Sequence, residues 1–252
     1  MKASARRARI PRLLADGIVE AEEMSRALAV SVSTIRRDLA RLADEGLLLR
    51  TYGGAAPLRG GGPERPLSQR AVEQLAEKAA IARAALAVIE PGESLILDAG
   101  TTTGALARLL GERAPLRVIT SGMSVIQAAS GSEGIELVAL GGEWRGMSGS
   151  FLGPHAEATM RRMSARRAFL GADGVVAGRG ICEATDAQAS LKAVMVAQAE
   201  RVYVLATADK LGRAASHAWT ALPRAWTLIT DRSASEAQLA PFREAHVQLV
   251  LA

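Results

Sequence analysis

The ten residues "VSVSTIRRDL", Val30 to Leu39, decide how the first quarter of the chain is read. Ser31 has an N-cap side chain, and the spacing that follows predicts a helix over about residues 32–45. At 100° per residue, Ile35, Leu39 and Leu42 fall on one narrow stripe, which commits that side to a core. Ser33, Arg37 and Arg41 fall opposite, with Thr34 and Arg36 on the flanks. A rod with a dry back and a front of guanidinium and hydroxyl groups suits the DNA major groove. Arginine forks match guanine O6 and N7, and hydroxyls and arginines bond phosphates.

The flanking sequence decides between this reading and an ordinary solvated face. Residues 6–15 place Ile10, Leu13 and Leu14 at helical spacing, and Gly17 stops that pattern. Residues 20–29 put Ala21, Met24 and Leu28 on one side, with glutamates near the start, where the helix dipole favours them. The short turn "LAVS" then sets the arginine helix at helix-turn-helix distance. Gly46 ends it, and "LLLRTYGGAAPL" has a short strand and a Gly-Gly turn, as a two-stranded wing would. Arg50 and Tyr52 lie on that wing. Lys2, Arg6, Arg7, Arg9 and Arg12, with no acid among them, offer phosphate contacts. A third helix after a tight turn and before a wing favours a nucleic-acid interface.

Composition agrees without deciding. The chain has 252 residues and a formal charge of +5, which suits an anionic partner, and its 49% apolar content can fill a sizeable core. The one cysteine, Cys182, allows no intrachain disulfide. The N-terminus is charged with no apolar run behind it, and no stretch approaches a membrane span, so a soluble cytoplasmic protein is expected. "APLRGGGPERPLSQR", residues 56–70, combines glycine and proline as a linker does. The expected division is a DNA-binding domain over 1–57, a linker over 58–70 and an α/β domain over 71–252.

That second domain alternates apolar runs with amphipathic segments. A long helical pattern covers residues 68–89. In "LILDAGTTTGALARLL", Leu95 to Leu97 predict a buried strand, Asp98 to Thr103 a polar loop and Gly104 to Leu110 a helix. Such a turn points backbone N–H groups and hydroxyls at one spot, and phosphate is the natural occupant. Asp98, Gly100, Thr101, Thr102 and Thr103 are therefore candidate ligand contacts. Neither a Walker lysine nor G-x-G-x-x-G spacing accompanies them. A second strand and loop supply Thr120, Ser121 and Gly122, and a third supplies Gly141 and Gly142. Repeated strand-to-helix units predict a mainly parallel sheet flanked by helices, with ligand at the strands' carboxyl ends. "RRAFLGADGV" brings Asp173 to that edge and "RVYVLATADKLG" brings Lys210. Loop amides and Lys210 would take a phosphate, and Asp173 a sugar hydroxyl. Lys192, in the amphipathic "DAQASLKAVMVAQA", is expected in solvent, and Cys182 packed.

Taken together, "VSVSTIRRDL", "LADEGL" and "RTYGGA" resemble the DNA-binding signature of the DeoR family of bacterial transcriptional regulators. "LDAGTTT", "VITSGMS", "LGG", "AFLGADGV" and "ADKLG" resemble, in order, landmarks of that family's C-terminal domain, over about Arg6 to Asp231. The resemblance implies a winged helix-turn-helix ahead of a sugar-phosphate-isomerase-like effector domain. It implies a repressor of carbohydrate genes whose operator affinity responds to a phosphorylated sugar, with no further cofactor expected. Because one arginine helix makes too few contacts for tight specific binding, a homo-oligomer is expected. Departures are Tyr52 for the family's histidine, Ser121-Gly122 in the second loop, Arg167 before "AF", and Thr207 three before the lysine, with Asp209 beside it.

Other chemistry finds little footing. His155, His217 and His246 are scattered and lack metal-ligand spacing, and no G-x-S-x-G elbow occurs. The basic cluster "RRMSARR", residues 161–167, is expected to be a solvated helix end. The rival functions are a sugar-phosphate isomerase carrying a DNA-binding appendage, with Glu183 or Asp173 as base, and a regulator whose pocket has decayed.

Overall fold

A computed structural model describes residues 3–15, 18–44, 48–51, 53–56, 64–214 and 216–252. The chain divides into two compact units, Met1–Glu64 and Arg65–Ala252. In the first, helices α1 (Ala3–Ala15), α2 (Ala21–Leu28) and α3 (Val32–Asp44) precede strands β1 (Leu49–Thr51) and β2 (Gly54–Ala56). The strands pair antiparallel, with Arg50 opposite Ala55. The expected stripe is the core: Ile35, Leu39 and Leu42 are buried with Ile10, Leu14, Met24, Leu28, Leu48 and Ala55. Each large aliphatic side chain buried here stabilises the unit by about 1.5–3 kcal/mol before entropy is counted.

The Gly-Gly pair fastens the wing to the helices. Ala55 N donates to Val19 O at 2.9 Å, and Ala21 N donates to Gly53 O at 3.0 Å. A Cβ on Gly54 would stand 2.0 Å from Val19 O, so only glycine allows that approach. The helix stops expected at Gly17 and Gly46 lie outside the described residues, as do Tyr52 and residues 57–63 of the glycine-rich segment.

The second unit opens with α4 (Leu67–Ala71) and α5 (Leu75–Leu86) instead of one helix over 68–89. Residues 65–70, expected as linker, belong to this unit. The break falls at Gln74, whose φ is +49°. Its side chain donates to Asp209 at 3.2 Å, and Lys78 Nζ donates to the carbonyls of Arg70 and Glu73. These contacts, one of them from a distant part of the chain, accompany the break in a helix-favouring local sequence.

Beyond α5 the chain runs β3 (Ser94–Leu97), α6 (Thr101–Ala107), β4 (Leu116–Thr120), α7 (Met123–Ala129), β5 (Ile135–Ala139), β6 (Glu143–Arg145) and β7 (Ser150–Leu152). It continues through α8 (Pro154–Met160), β8 (Ala165–Leu170), β9 (Gly174–Val176), β10 (Gly180–Glu183), α9 (Asp186–Ala197) and β11 (Ala199–Leu205). β12 (Ala218–Thr220), β13 (Thr227–Thr230), α10 (Glu236–Glu244) and β14 (Gln248–Leu251) complete it. Seven strands form one sheet, ordered β14-β13-β11-β8-β3-β4-β5, and every pair in it is parallel. β12, β10 and β9 form a small antiparallel sheet, and β6 and β7 a hairpin.

The central strands are mainly apolar because both faces are covered, with their charged residues Arg166, Arg167, Glu200 and Arg201 near the amino ends. Leu95, Leu97, Phe169, Tyr203 and Leu205 point to the side of α5, α6 and α7, against Ile81, Leu106 and Val125. Their neighbours Ile96, Ala168, Leu170, Val202 and Val204 point the other way, against Met160, Leu191, Met195 and Phe242 of α8, α9 and α10. The period-two alternation sorts the residues between two cores. It also lines up the carboxyl ends of β3 and β8, where the next residues are Asp98 and Gly171.

Candidate functional site: a basic helix face and a charged crevice

On α3 the residues opposite the core are where the spacing placed them. Ser33, Arg36, Arg37 and Arg41 are exposed, and Thr34 is half-buried. Ser31 Oγ accepts from Thr34 N at 3.2 Å, which confirms the N-cap, and its hydroxyl also meets those of Ser33 and Thr34 at 3.0 and 2.8 Å. Arg36 reaches Glu22 of α2 at 3.5 Å, a solvent-screened pair. Arg37 stands on the outermost line. Of Arg50, only the backbone position on β1 is described.

The N-terminal basic residues do something the sequence did not suggest. Arg6 Nε bonds Asp38 at 2.5 Å and Arg7 Nη1 lies 3.5 Å from the same carboxylate, which is only 4% exposed. The bond to Asp38 holds the Arg6 guanidinium above its ordinary value, against a smaller opposing effect of burial. These two arginines tie α1 to the rear of α3 and are not spare charges for phosphate. Lys2 lies outside the described residues.

In the second unit, a crevice opens at the carboxyl ends of β3 and β8. Asp98, Gly100, Thr101, Thr102, Thr103, Asp173 and Lys210 line it, as the sequence predicted. The helix starts at Thr101, three residues earlier than expected, so the three threonines form its first turn. The first-turn amides of a helix have no carbonyl of their own helix to bond. Thr103 Oγ1 and Ser124 Oγ both donate to Gly100 O, at 3.1 and 2.9 Å, and fix the turn. Lys210 Nζ donates to Ala172 O at 2.6 Å. Burial lowers the pKa of its ammonium; Asp173 opposes that shift and Arg70 adds to it. Arg70, on α4, lines the crevice 3.9 Å from Asp173.

The second and third loops stand behind this lining and are not part of it. Thr120 Oγ1 accepts from Gly122 N at 3.0 Å, and both Thr120 and Ser121 are fully buried. A Cβ on Gly122 would lie 2.6 Å from Ala99 Cα, so that loop packs directly under the crevice loop. Gly141 and Gly142 turn the chain between β5 and β6. None of these five residues lines the crevice.

The largest correction is Lys192. Expected in solvent, it is 5% exposed and lines the crevice. Its ammonium donates to Asp98 at 2.9 Å, to Gly171 O at 2.7 Å and to Glu183. Those three bonds use every N–H it has. Burial works against its charge, but Asp98 and Glu183 more than offset this and raise its pKa. Glu183 shows the reverse: burial pushes its carboxyl up to about 8, with Asp173 and Asp98 adding to the shift and Lys192 opposing it. Asp98 also accepts from Gly171 N at 3.1 Å, so the cluster locks the ends of β3 and β8 together.

Sequence reasoning also missed Arg70, Ser148 and Ser150 in the lining. Arg70 sat in the span expected as linker, and the two serines sit on a hairpin that no apolar run announced. Of the basic cluster, Arg161 and Arg162 are exposed as expected, whereas Arg167 is buried and bonds both oxygens of Glu93, at 2.7 and 2.8 Å. Cys182 is fully buried. Thr207, at the departing position, donates to Asp209 at 2.6 Å.

The comparisons with known proteins match both units. The profile described as the DeoR-like helix-turn-helix domain matches residues 6–59, and that of the DeoR C terminal sensor domain matches residues 73–232. The chain is 34% identical to the putative aga operon transcriptional repressor of Escherichia coli O157:H7, over 96% of this chain and 91% of that protein. It is 30% identical to the glycerol-3-phosphate regulon repressor of Escherichia coli strain K12, over 93% of each. Among solved structures, ribose 5-phosphate isomerase A from Methanocaldococcus jannaschii aligns with a TM-score of 0.39 and 20% identity, over 53% of this chain and 52% of that one. With a basic recognition helix in one unit and a charged crevice in the other, the chain belongs to the DeoR family of DNA-binding transcriptional regulators.

Proposed function

We propose that this protein represses a carbohydrate operon from the cytoplasm, and that a phosphorylated sugar bound in the crevice lowers its affinity for the operator. The observation that carries this reading is the meeting of Arg70, Lys210 and the first turn of α6 in one crevice that also holds Asp173. The cations and first-turn amides suit a phosphate, and Asp173 suits a hydroxyl. The relatives support the class of gene controlled: one is named for the aga operon and another for the glycerol-3-phosphate regulon. One recognition helix makes too few contacts for tight specific binding, so a homo-oligomer presenting two or more of them to repeated half-sites is part of the proposal.

Catalysis is not part of it. Glu183, the carboxyl best placed to act as a base in the crevice, is already bonded to Lys192 and lies 3.5 Å from the Gln188 amide. The test is operator binding by the full chain, measured with and without a panel of pentose, hexose and triose phosphates. At least one should weaken binding about 5–150-fold, the usual range of allosteric coupling. Thr101→Asp keeps a residue that suits a helix start but sets like charge against phosphate. It should abolish the response and keep operator binding. Release by every panel member at wild-type strength in that variant would move the phosphate elsewhere. Turnover of any of these sugars would restore the isomerase alternative.

A further inference from the structure

We propose that α4 carries the crevice's occupancy to the DNA-binding unit, and that Arg70 is the residue by which the effector's anionic group takes hold of it. The inference rests on the functional reading above and adds the route of regulation. α4 is five residues long and buries none of them. A helix so short has no stability of its own in water, and no core secures this one.

Polar contacts hold it, beside half-buried Leu67 against Gly149. Leu67 N donates to Met147 O at 2.9 Å, and Arg70 Nε donates to Arg65 O at 3.0 Å. Arg65 pairs with Glu73 at 2.8 Å, and Lys78 clasps the carbonyls of Arg70 and Glu73 from below. One side chain of α4, Arg70, enters the crevice, and it is only 18% exposed there.

The contact Arg70 makes across the crevice is slack. Its 3.9 Å separation from Asp173 compares with about 2.7–2.9 Å for a formed arginine–carboxylate bond. Lys210 lines the same crevice, a second cation that Arg70 repels. An anion between these two groups replaces repulsion with attraction and offers the guanidinium fork a two-point partner. Binding therefore draws α4 onto the crevice. α4 begins at Leu67, three positions past Glu64, the last residue of the DNA-binding unit. Whatever fixes α4 fixes the near end of the chain that joins the units. By linkage, an effector that favours docked α4 changes operator affinity if the two states of α4 differ in DNA binding.

The experiment is hydrogen exchange on the full chain, followed in peptides covering residues 65–74. It is run with and without ribose 5-phosphate, glucose 6-phosphate and glycerol 3-phosphate, beside calorimetry and operator titrations. For any of these that binds, exchange of the α4 amides should slow at least tenfold in the wild-type protein. In Arg70→Ala that slowing should fall below twofold at saturating ligand. The ratio of operator Kd with and without ligand should collapse from the wild-type value of about fivefold or more to under twofold. Arg70→Lys, which keeps the charge but loses the fork, should fall between. A saturated Arg70→Ala protein with the wild-type Kd ratio overturns the proposal, as does wild-type α4 exchange that ignores bound ligand. In both cases the sugar-phosphate reading stands. If none of the three compounds binds the wild-type protein or moves its operator affinity, that reading fails and takes this one with it.

Discussion

Arg37 and Lys192 show opposite uses of a cation. Arg37 is exposed on the line of α3 farthest from Ile35 and Leu39, where a guanidinium is free to meet a base edge. Arg37→Ala should cost about 1–3 kcal/mol at the cognate operator and relax the preference at one base pair. Anisotropy titrations against operators mutated position by position would show it, and a uniform loss across all of them would assign Arg37 to phosphate. Lys192 is sealed among Asp98, Glu183 and the Gly171 carbonyl. Lys192→Met leaves the Asp98 carboxylate buried beside the Glu183 carboxyl with no cation to pair it. Breaking a buried pair in this way costs about 3–5 kcal/mol, so the second unit's denaturation midpoint should drop sharply. Adding Glu183→Gln to that variant should change little near neutral pH, because burial already keeps the Glu183 carboxyl protonated there once Lys192 is gone, and the stranded charge is Asp98.

At the scale of elements, the first unit was nearly transparent in the sequence and the second only in part. A stripe at Ile35, Leu39 and Leu42 has one geometric solution, and α3 adopts it. The loops at Gly100–Thr103, Asp173 and Lys210 were legible because a strand that ends in small polar residues has few other ways to turn. Lys192 was not, since helical spacing cannot say that a neighbouring strand end will supply two acceptors. β13 and β14 went unseen because "TLIT" and "QLVL" are too short to announce themselves without strand partners. At the break between α4 and α5, Gln74 bonds Asp209, a partner distant in the chain that helical spacing cannot announce. The wing offers the cleanest test at this scale. Gly54→Ala places a methyl 2.0 Å from Val19 O, a backbone atom that cannot swing aside. It should destabilise the first unit and weaken operator binding, while the thermal response of the second unit to ligand stays as it was. Calorimetry of the full chain would separate the two transitions.

For the whole molecule, pH is the informative variable. Glu183 titrates near 8 when folded, and a carboxyl of its kind titrates near 4.5 when unfolded. Between those values the folded chain binds the extra proton, so stability is complete below about 4.5 and declines as pH rises through 8. Glu93, Glu157 and Asp209 shift the other way, and their stabilisation is lost only on acidification below the ordinary carboxylate range. Melting of the second unit should therefore fall from pH 5 to pH 8, and Glu183→Gln should flatten that slope. The clasp of Arg6 and Arg7 on Asp38 matters in a different solvent condition. Its three charges sit mostly out of water, where mobile ions screen poorly, whereas the grip on an operator is built from contacts that ions displace. Rising ionic strength thus strips the protein from its duplex long before it loosens the reading head. What comes off is already shaped to rebind as soon as the brine is diluted.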